Sequence, residues 1–177
     1  MKFLLFAASH RKESYNRKLA VHVAAHIGGE TDLADYADFD MPLYNDSIPL
    51  PDAAHRFARR AASADGIVIS SPEYNWSYPG SLKNIIDWTS RIEPNPLKGK
   101  TVMLLSASPG ARGGILGMDH LKTPLEAMQL HVFHRMFPLG NCREAFDAAD
   151  KLFAKHRDAL NPMIDSFVTF TRKLTKE

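Results

Sequence analysis

Short apolar runs alternate along this chain with longer segments whose apolar residues recur every three or four positions. Residues 2–8 form a compact apolar run, the pattern of a strand covered on both faces. Over residues 16–27, Leu19, Ala20, Val23, Ala24 and Ile27 share one helical face. Residues 31–37 read as a weak second strand, and residues 41–52, with three prolines, as a loop. Ala54, Phe57, Ala58, Ala61 and Ala62 then follow the i, i+3, i+4, i+7, i+8 spacing of an amphipathic helix. Residues 66–71 are the clearest buried strand, rich in β-branched side chains. Leu82, Ile85, Ile86 and Trp88 mark a third helix, and residues 101–107 another strand. Helical pattern resumes at about Gly114. Pro124 interrupts it, and Thr123 with Glu126 spells a capping box, which predicts a kink or a fresh start. Residues 131–137 read as a fifth strand. The tail from Ala148 reads as helix, split in two where Asn161-Pro162 resembles an N-cap and first turn.

Strands separated by helices of this size are parallel strands joined by right-handed crossovers. The pattern therefore predicts one α/β domain over residues 1–177, a three-layer sandwich around a five-stranded parallel sheet. Of the two common doubly wound orders, five strands in 177 residues favour the smaller, flavodoxin-like order 2-1-3-4-5.

Composition narrows the function classes. Apolar residues make up 45% and charged residues 24%, ample for a sizeable core and unlike a disordered chain. No apolar run approaches the ~18 residues that span a bilayer, and residues 3–8 are too short for a signal-peptide core. A cytoplasmic protein is expected. The formal net charge is only +2, and no basic run is interleaved with aromatics, so neither nucleic acid nor a membrane surface is an expected partner. One cysteine, Cys142, rules out an internal disulfide and a cysteine-based zinc site.

Ligands of such sheets bind beyond the carboxyl ends of the strands, where the strand order reverses. That rule selects three loops. The first, after strand 1, offers the hydroxyls of Ser9 and Ser14, the guanidinium of Arg11, the amide of Asn16 and a helix start. Hydroxyls, a cation and free helix N–H groups make a cradle for a phosphate monoester. The alternative is that Ser14 or Asn16 only caps the helix. The second, Ser71-Pro-Glu-Tyr-Asn-Trp-Ser-Tyr-Pro-Gly80, alternates rings with polar groups and suits a flat heteroaromatic with hydrogen-bonding edges. Trp76 and Tyr78 are placed to line a ligand or meet a partner subunit. The third, Ser106-Ala-Ser-Pro-Gly-Ala-Arg-Gly-Gly114, has glycines that let backbone N–H groups approach a ligand closely. Neither G-x-x-x-x-G-K-[ST] nor G-x-G-x-x-G occurs in these loops.

These loops resemble those of the NADPH-dependent FMN reductase family, which includes quinone, azo-dye and chromate reductases. The first motif, close to G-S-x-R-x-x-S-x-N, runs from Ala8 to Asn16, with Ala8 in place of the usual glycine. The second, [ST]-P-E-Y-N, is intact from Ser71 to Asn75 and is followed by Pro79-Gly80-Ser-Leu-Lys-Asn-Ile-Ile-Asp-Trp88. A glycine-rich third motif runs from Ser108 to Gly114. The resemblance covers about residues 2–130. It implies a flavodoxin-like fold and bound FMN, reduced by NADPH or NADH and reoxidised by a small-molecule acceptor in a ping-pong scheme. It implies that Ser9, Arg11, Ser14 and Asn16 hold the phosphate. Pro72, Glu73, Tyr74 and Asn75 would border the ring and ribityl chain, with the N–H groups of Glu73 to Asn75 tuning the flavin. Ser108 and Gly110 would meet the ring's other side or edge. It implies no catalytic side chain and a homodimer or homotetramer; the spacing of the histidines and the single cysteine give no reason to expect a metal. Two other readings of the same fold are an electron carrier and a flavin-binding redox sensor. The first loop lacks the T-x-T-x-x-T pattern of carriers, and these 177 residues show no output segment, which counts against a sensor without excluding it.

The remaining features are bland. His22 and His26 lie on one helical face with no carboxylate or cysteine nearby in sequence. His131 and His134 fall on opposite faces of a strand. Cys142 reads as a buried or idle thiol. Trp88, Phe146, Phe153 and Phe167 read as core or subunit contact.

Overall fold

The computed structural model describes residues 1–175. Five parallel strands form one sheet of order β2-β1-β3-β4-β5, the order the pattern predicts. The strands are β1 (Lys2–Ala7), β2 (Glu30–Asp35), β3 (Gly66–Ser70), β4 (Thr101–Ala107) and β5 (His131–Leu139). The helices are α1 (Tyr15–His26), α2 (Asp52–Ala62), α3 (Gly80–Thr89), α4 (Ile115–Ala127) and α5 (Ala154–Leu174).

The period-2 alternation of the central strands divides the core in two. Leu4 and Phe6 of β1 face α2, α3 and α4, against Phe57, Ile85 and Leu121. Phe3 and Leu5 face α1 and α5, against Leu19, Val23, Ile164 and Phe167. Both faces are thus covered, which is why β3 and β4 are buried at every position. Each fully buried Val, Leu, Ile or Met side chain of these strands contributes about 1.5–3 kcal/mol. A buried pair of hydroxyls, Thr101 and Thr171 at 2.7 Å, ties α5 to the start of β4. No described helix is long and apolar enough to cross a membrane.

Four expectations are corrected. Helix α4 makes no fresh start at Pro124 but continues through it as one helix, capped at Gly114 and not by a Thr123–Glu126 box. The bond that Pro124 forfeits belongs to the carbonyl of His120, an exposed residue whose carbonyl water can serve, while Leu121, Leu125 and Met128 anchor both sides in the core. Helix α5 likewise runs through Pro162 as one piece, held by Leu160, Met163, Ile164 and Phe167. Asn161 does not cap a new helix, because its Oδ1 meets His22 Nε2 at 2.9 Å. His26 reaches Asp165 at 3.1 Å, so the histidine face of α1 packs on α5. Residues 148–153 are not helical. They form a turn in which Asp147 accepts from Ala149 N and Lys151 N, both at 2.9 Å, with a bridge between Phe146 and Leu152. Strand β5 also extends two residues past the predicted end, and its register slips against β4 between Val102 and Leu104.

Candidate functional site

Strands β1 and β3 end level, with Ala7 opposite Ser70, at the point where the strand order reverses. Ala8 N donates to Ser70 O at 3.0 Å and Ser71 N to Leu105 O at 2.9 Å, so the ladder continues into both loops. The next few residues must then part company, which opens a trough over the strand ends.

The first loop delivers its polar groups into that trough. Ser14 is the N-cap of α1, with its Oγ accepting from Arg17 N at 3.2 Å. The helix N–H groups of Tyr15 and Asn16 have no helix carbonyl to meet. Ser14 therefore caps the helix and still has its own O–H to donate. Ser9 Oγ accepts from Arg11 N at 3.4 Å, which folds the loop back on itself. Asn16 is buried, and its amide is spent inside the fold. Its Oδ1 accepts from Ala107 N at 2.9 Å and from Ser70 Oγ at 3.1 Å, and its Nδ2 donates to Ala107 O at 3.1 Å. Asn16 thus ties α1 to the ends of β3 and β4, leaving its main-chain N–H to face a ligand.

The second loop is a tight hairpin. Tyr74 N donates to Ser77 O at 2.8 Å and Ser77 N to Tyr74 O at 3.1 Å. Its two central residues, Asn75 at φ 48° and Trp76 at φ 69°, both sit in the left-handed region. Asparagine tolerates that; a tryptophan there costs about 1–2 kcal/mol. Glu73 Oε2 accepts from Gly117 N at 2.8 Å in the first turn of α4 and clamps the second loop to the start of that helix. The expectation that the N–H groups of Glu73 to Asn75 all face a flavin is corrected at Tyr74, whose N–H closes the hairpin. Tyr78 packs half-buried against the core, whereas Trp76 stands 59% exposed.

The third loop is a compact turn, with Gly110 N donating to Ser108 Oγ at 3.2 Å and Gly113 N to Gly110 O at 3.2 Å. Ser108 N and Cys142 N anchor it to the end of β5 and the turn beyond.

Together the loops build two adjoining clefts. One, of about 170 Å³, gathers Ser9, Arg11, Ser14 and Asn16 with Pro72, Glu73, Tyr74 and Ser108. The other, of about 360 Å³, adds Asn75 and Gly110 to Glu73 and Ser108, under Trp76. All ten residues singled out from the sequence thus line one trough. Its first part has the chemistry of a phosphate site: a guanidinium, two hydroxyls and a helix start. The exposed Glu13 stands on its rim. The second part has an aromatic side chain and glycine backbone and fits a planar ring. An anion cradle and a flat cleft sharing Glu73 and Ser108 fit FMN.

Sequence reasoning did not find three members of the site. Cys142 lines the anion cleft from beyond β5, buried, with its thiol pushed up by burial and so protonated at neutral pH. The Glu73–Gly117 clamp and the contact of Arg112 with Trp76, guanidinium carbon 5.1 Å from the ring centroid, join residues far apart in sequence. The one local signal was an arginine inside the glycine-rich loop.

A phosphate cradle beside a planar cleft, at the switch point of a 2-1-3-4-5 sheet, defines a flavodoxin-like flavin-binding protein. The NADPH-dependent FMN reductase family model matches residues 1–144, and the chain belongs to that family, as an NAD(P)H-dependent flavin oxidoreductase with FMN as cofactor. It is 31% identical to an NAD(P)H-dependent FMN reductase of Pseudomonas aeruginosa over 98% of this chain and 97% of that one. It is 33% identical to a quinone reductase of Pseudomonas putida over 93% of this chain and 91% of that one. Among solved structures, the flavoenzyme NAD(P)H:(acceptor) oxidoreductase of Paracoccus denitrificans superposes with a TM-score of 0.85 at 30% identity, over 97% of each chain. Membership decides for a reductase over a bare electron carrier.

Proposed function

We propose that the protein oxidises NADPH or NADH and reduces a second small molecule in a ping-pong scheme, both substrates using the cleft beneath Trp76. The acceptor classes are quinones, azo compounds, metal oxyanions and free flavin. The similarity to a quinone reductase supports quinones first. When bound, FMN supplies the redox chemistry, taking a hydride equivalent from the nicotinamide and returning two electrons to the acceptor.

The chain's own contribution is placement. Ser9, Arg11, Ser14 and the first-turn N–H groups of α1 hold the phosphate. Asn16 fixes that helix start against β3 and β4. Pro72, Glu73, Tyr74 and Asn75 border the ring and ribityl chain, and Ser108 and Gly110 the opposite edge. The free N–H groups of Glu73 and Asn75 are the candidates for tuning the ring electronically. No trough side chain is assigned as general acid or base. The exposed Trp76 and Tyr74 beside the cleft, with Leu43 at 82% exposure, support assembly as a homodimer or homotetramer.

The observation that carries this reading is the pair of adjoining clefts, one built for a phosphate and one for a plane. Initial rates measured against NADPH at several fixed quinone concentrations test it. Parallel double-reciprocal lines are expected. Lines that intersect would require both substrates bound together and would overturn the shared-cleft scheme.

A further inference from the structure

The ring-side cleft carries one cation that nothing else explains. Arg112, on the β4–α4 loop, is exposed, and its guanidinium carbon lies over the ring of Trp76, on the β3–α3 loop, 5.1 Å from the centroid. Both line the same cleft. Among the described residues Arg112 forms no ion pair, whereas Arg17 is paired with Asp35 and Arg60 with Asp32 and Asp38. Glu73 is the carboxylate that lines the cleft, and it is engaged by Gly117 N at 2.8 Å. The cleft therefore has an aromatic wall, a free guanidinium and a carboxylate turned to other use.

A cation–π contact of this kind does not depend on a hydrogen bond, so the guanidinium keeps N–H donors for a ligand. Those donors match a carboxylate or sulfonate in bidentate fashion and a phenolate through its single oxygen. The hairpin that presents Trp76 holds its backbone at φ 69°, a conformation that non-glycine residues seldom adopt, so the turn sets the direction in which the side chain leaves the main chain. From this we infer that Arg112, held by Trp76, is the residue that selects the acceptor, favouring planar aromatic acceptors that carry an anionic group. The inference rests on the proposed function only in taking this cleft as the acceptor's site. Trp76 supplies the plane against which the acceptor's ring lies; Arg112 supplies the charge that distinguishes an anionic ring from a neutral one.

Equilibrium binding tests this without turnover. The chain has two tryptophans, and Trp88 is 2% exposed, so quenching of the exposed Trp76 reports on the cleft. The flavin-loaded protein is titrated with anthraquinone-2-sulfonate and with the neutral 2-(hydroxymethyl)anthraquinone. The wild type is expected to prefer the sulfonate. Arg112→Gln is expected to lower the sulfonate-to-neutral affinity ratio about 10-fold, the modest end for a charge-assisted contact because the site is open to water. Arg112→Lys, with the charge but not the planar fork, falls between. An unchanged ratio in Arg112→Gln, or no preference in the wild type, overturns the inference. So does a weakening of NADPH binding with the acceptor ratio intact, because the anion would then belong to the donor. Anaerobic mixing of the wild type with NADPH and with NADH separates this from the functional reading. A selective anion site in a protein whose flavin neither donor can reduce would sink the reductase scheme, and a flavin that either donor bleaches beside an unselective cleft would sink this inference alone.

Discussion

Asn16→Ala is expected to destabilise the fold by about 2–4 kcal/mol and to weaken FMN binding with it. Three buried groups lose their partner at once: Ala107 N–H, Ala107 C=O and the Ser70 hydroxyl. An orphaned buried polar group costs about 1–3 kcal/mol, and water entering from the neighbouring cleft relieves part of the sum. For a chain of this length the loss corresponds to a Tm lower by roughly 5–15 °C. The flavin effect follows from geometry, since the same side chain sets where α1 begins. Asn16→Asp separates the two effects. It keeps the accepting oxygens, loses the donor to Ala107 O, and puts a negative charge under the phosphate cradle. Its FMN affinity should therefore fall by more than its stability alone accounts for. Urea denaturation and FMN titration of both variants check this. A shift of less than about 0.5 kcal/mol in Asn16→Ala would show that the buried amide ties nothing together.

Gly113→Ala is expected to cost about 2–5 kcal/mol and to disorganise the ring cleft. Gly113 lies at φ 63°, where any side chain is strained by about 1–2 kcal/mol. A methyl group there would stand 2.6 Å from Pro138 C, 2.7 Å from Gly140 N and 2.8 Å from Leu139 N. These are main-chain atoms at the end of β5, so the turn carrying Ser108 and Gly110 must move away from them, an overpacking penalty of about 1–3 kcal/mol. Gly28→Ala is the control. Its φ is 69°, but nothing lies within 4 Å of the added carbon, so only the backbone strain of about 1 kcal/mol remains. Thermal melts of the two variants should differ clearly. Equal melts would mean that the third loop shifts freely and does not shape the cleft.

Much of this architecture was legible in the chain itself, for identifiable reasons. Strand β4 reads from Thr101 to Ala107 because every residue in it is buried, so the apolar run and the strand coincide. Helix α2 reads well because one face is buried and the other is not, although Ala62, placed on the buried face, is exposed. The ends of β5 and the continuity of α4 and α5 did not read. A proline is a local signal for a break, whereas the packing of Leu121 and Leu125, or of Leu160 and Ile164, that overrides it is tertiary. Site residues were legible to the extent that their role is set by the loop they occupy. Ser14 was found as either cap or ligand, and its geometry allows both. Asn16 was found as a site residue, but its buried amide bonds reach across to Ala107 and Ser70, and no local pattern encodes that. The contact of Arg112 with Trp76 joins two loops 36 positions apart and becomes visible only once both are folded onto one sheet edge.

The central claim is that the trough over β1 and β3 holds FMN for reduction by a nicotinamide. The most direct test is a visible absorbance spectrum of the purified protein before and after anaerobic NADPH, repeated with NADH. The account predicts a flavin spectrum that bleaches on addition of the donor. A colourless protein that also fails to take up added FMN would contradict it.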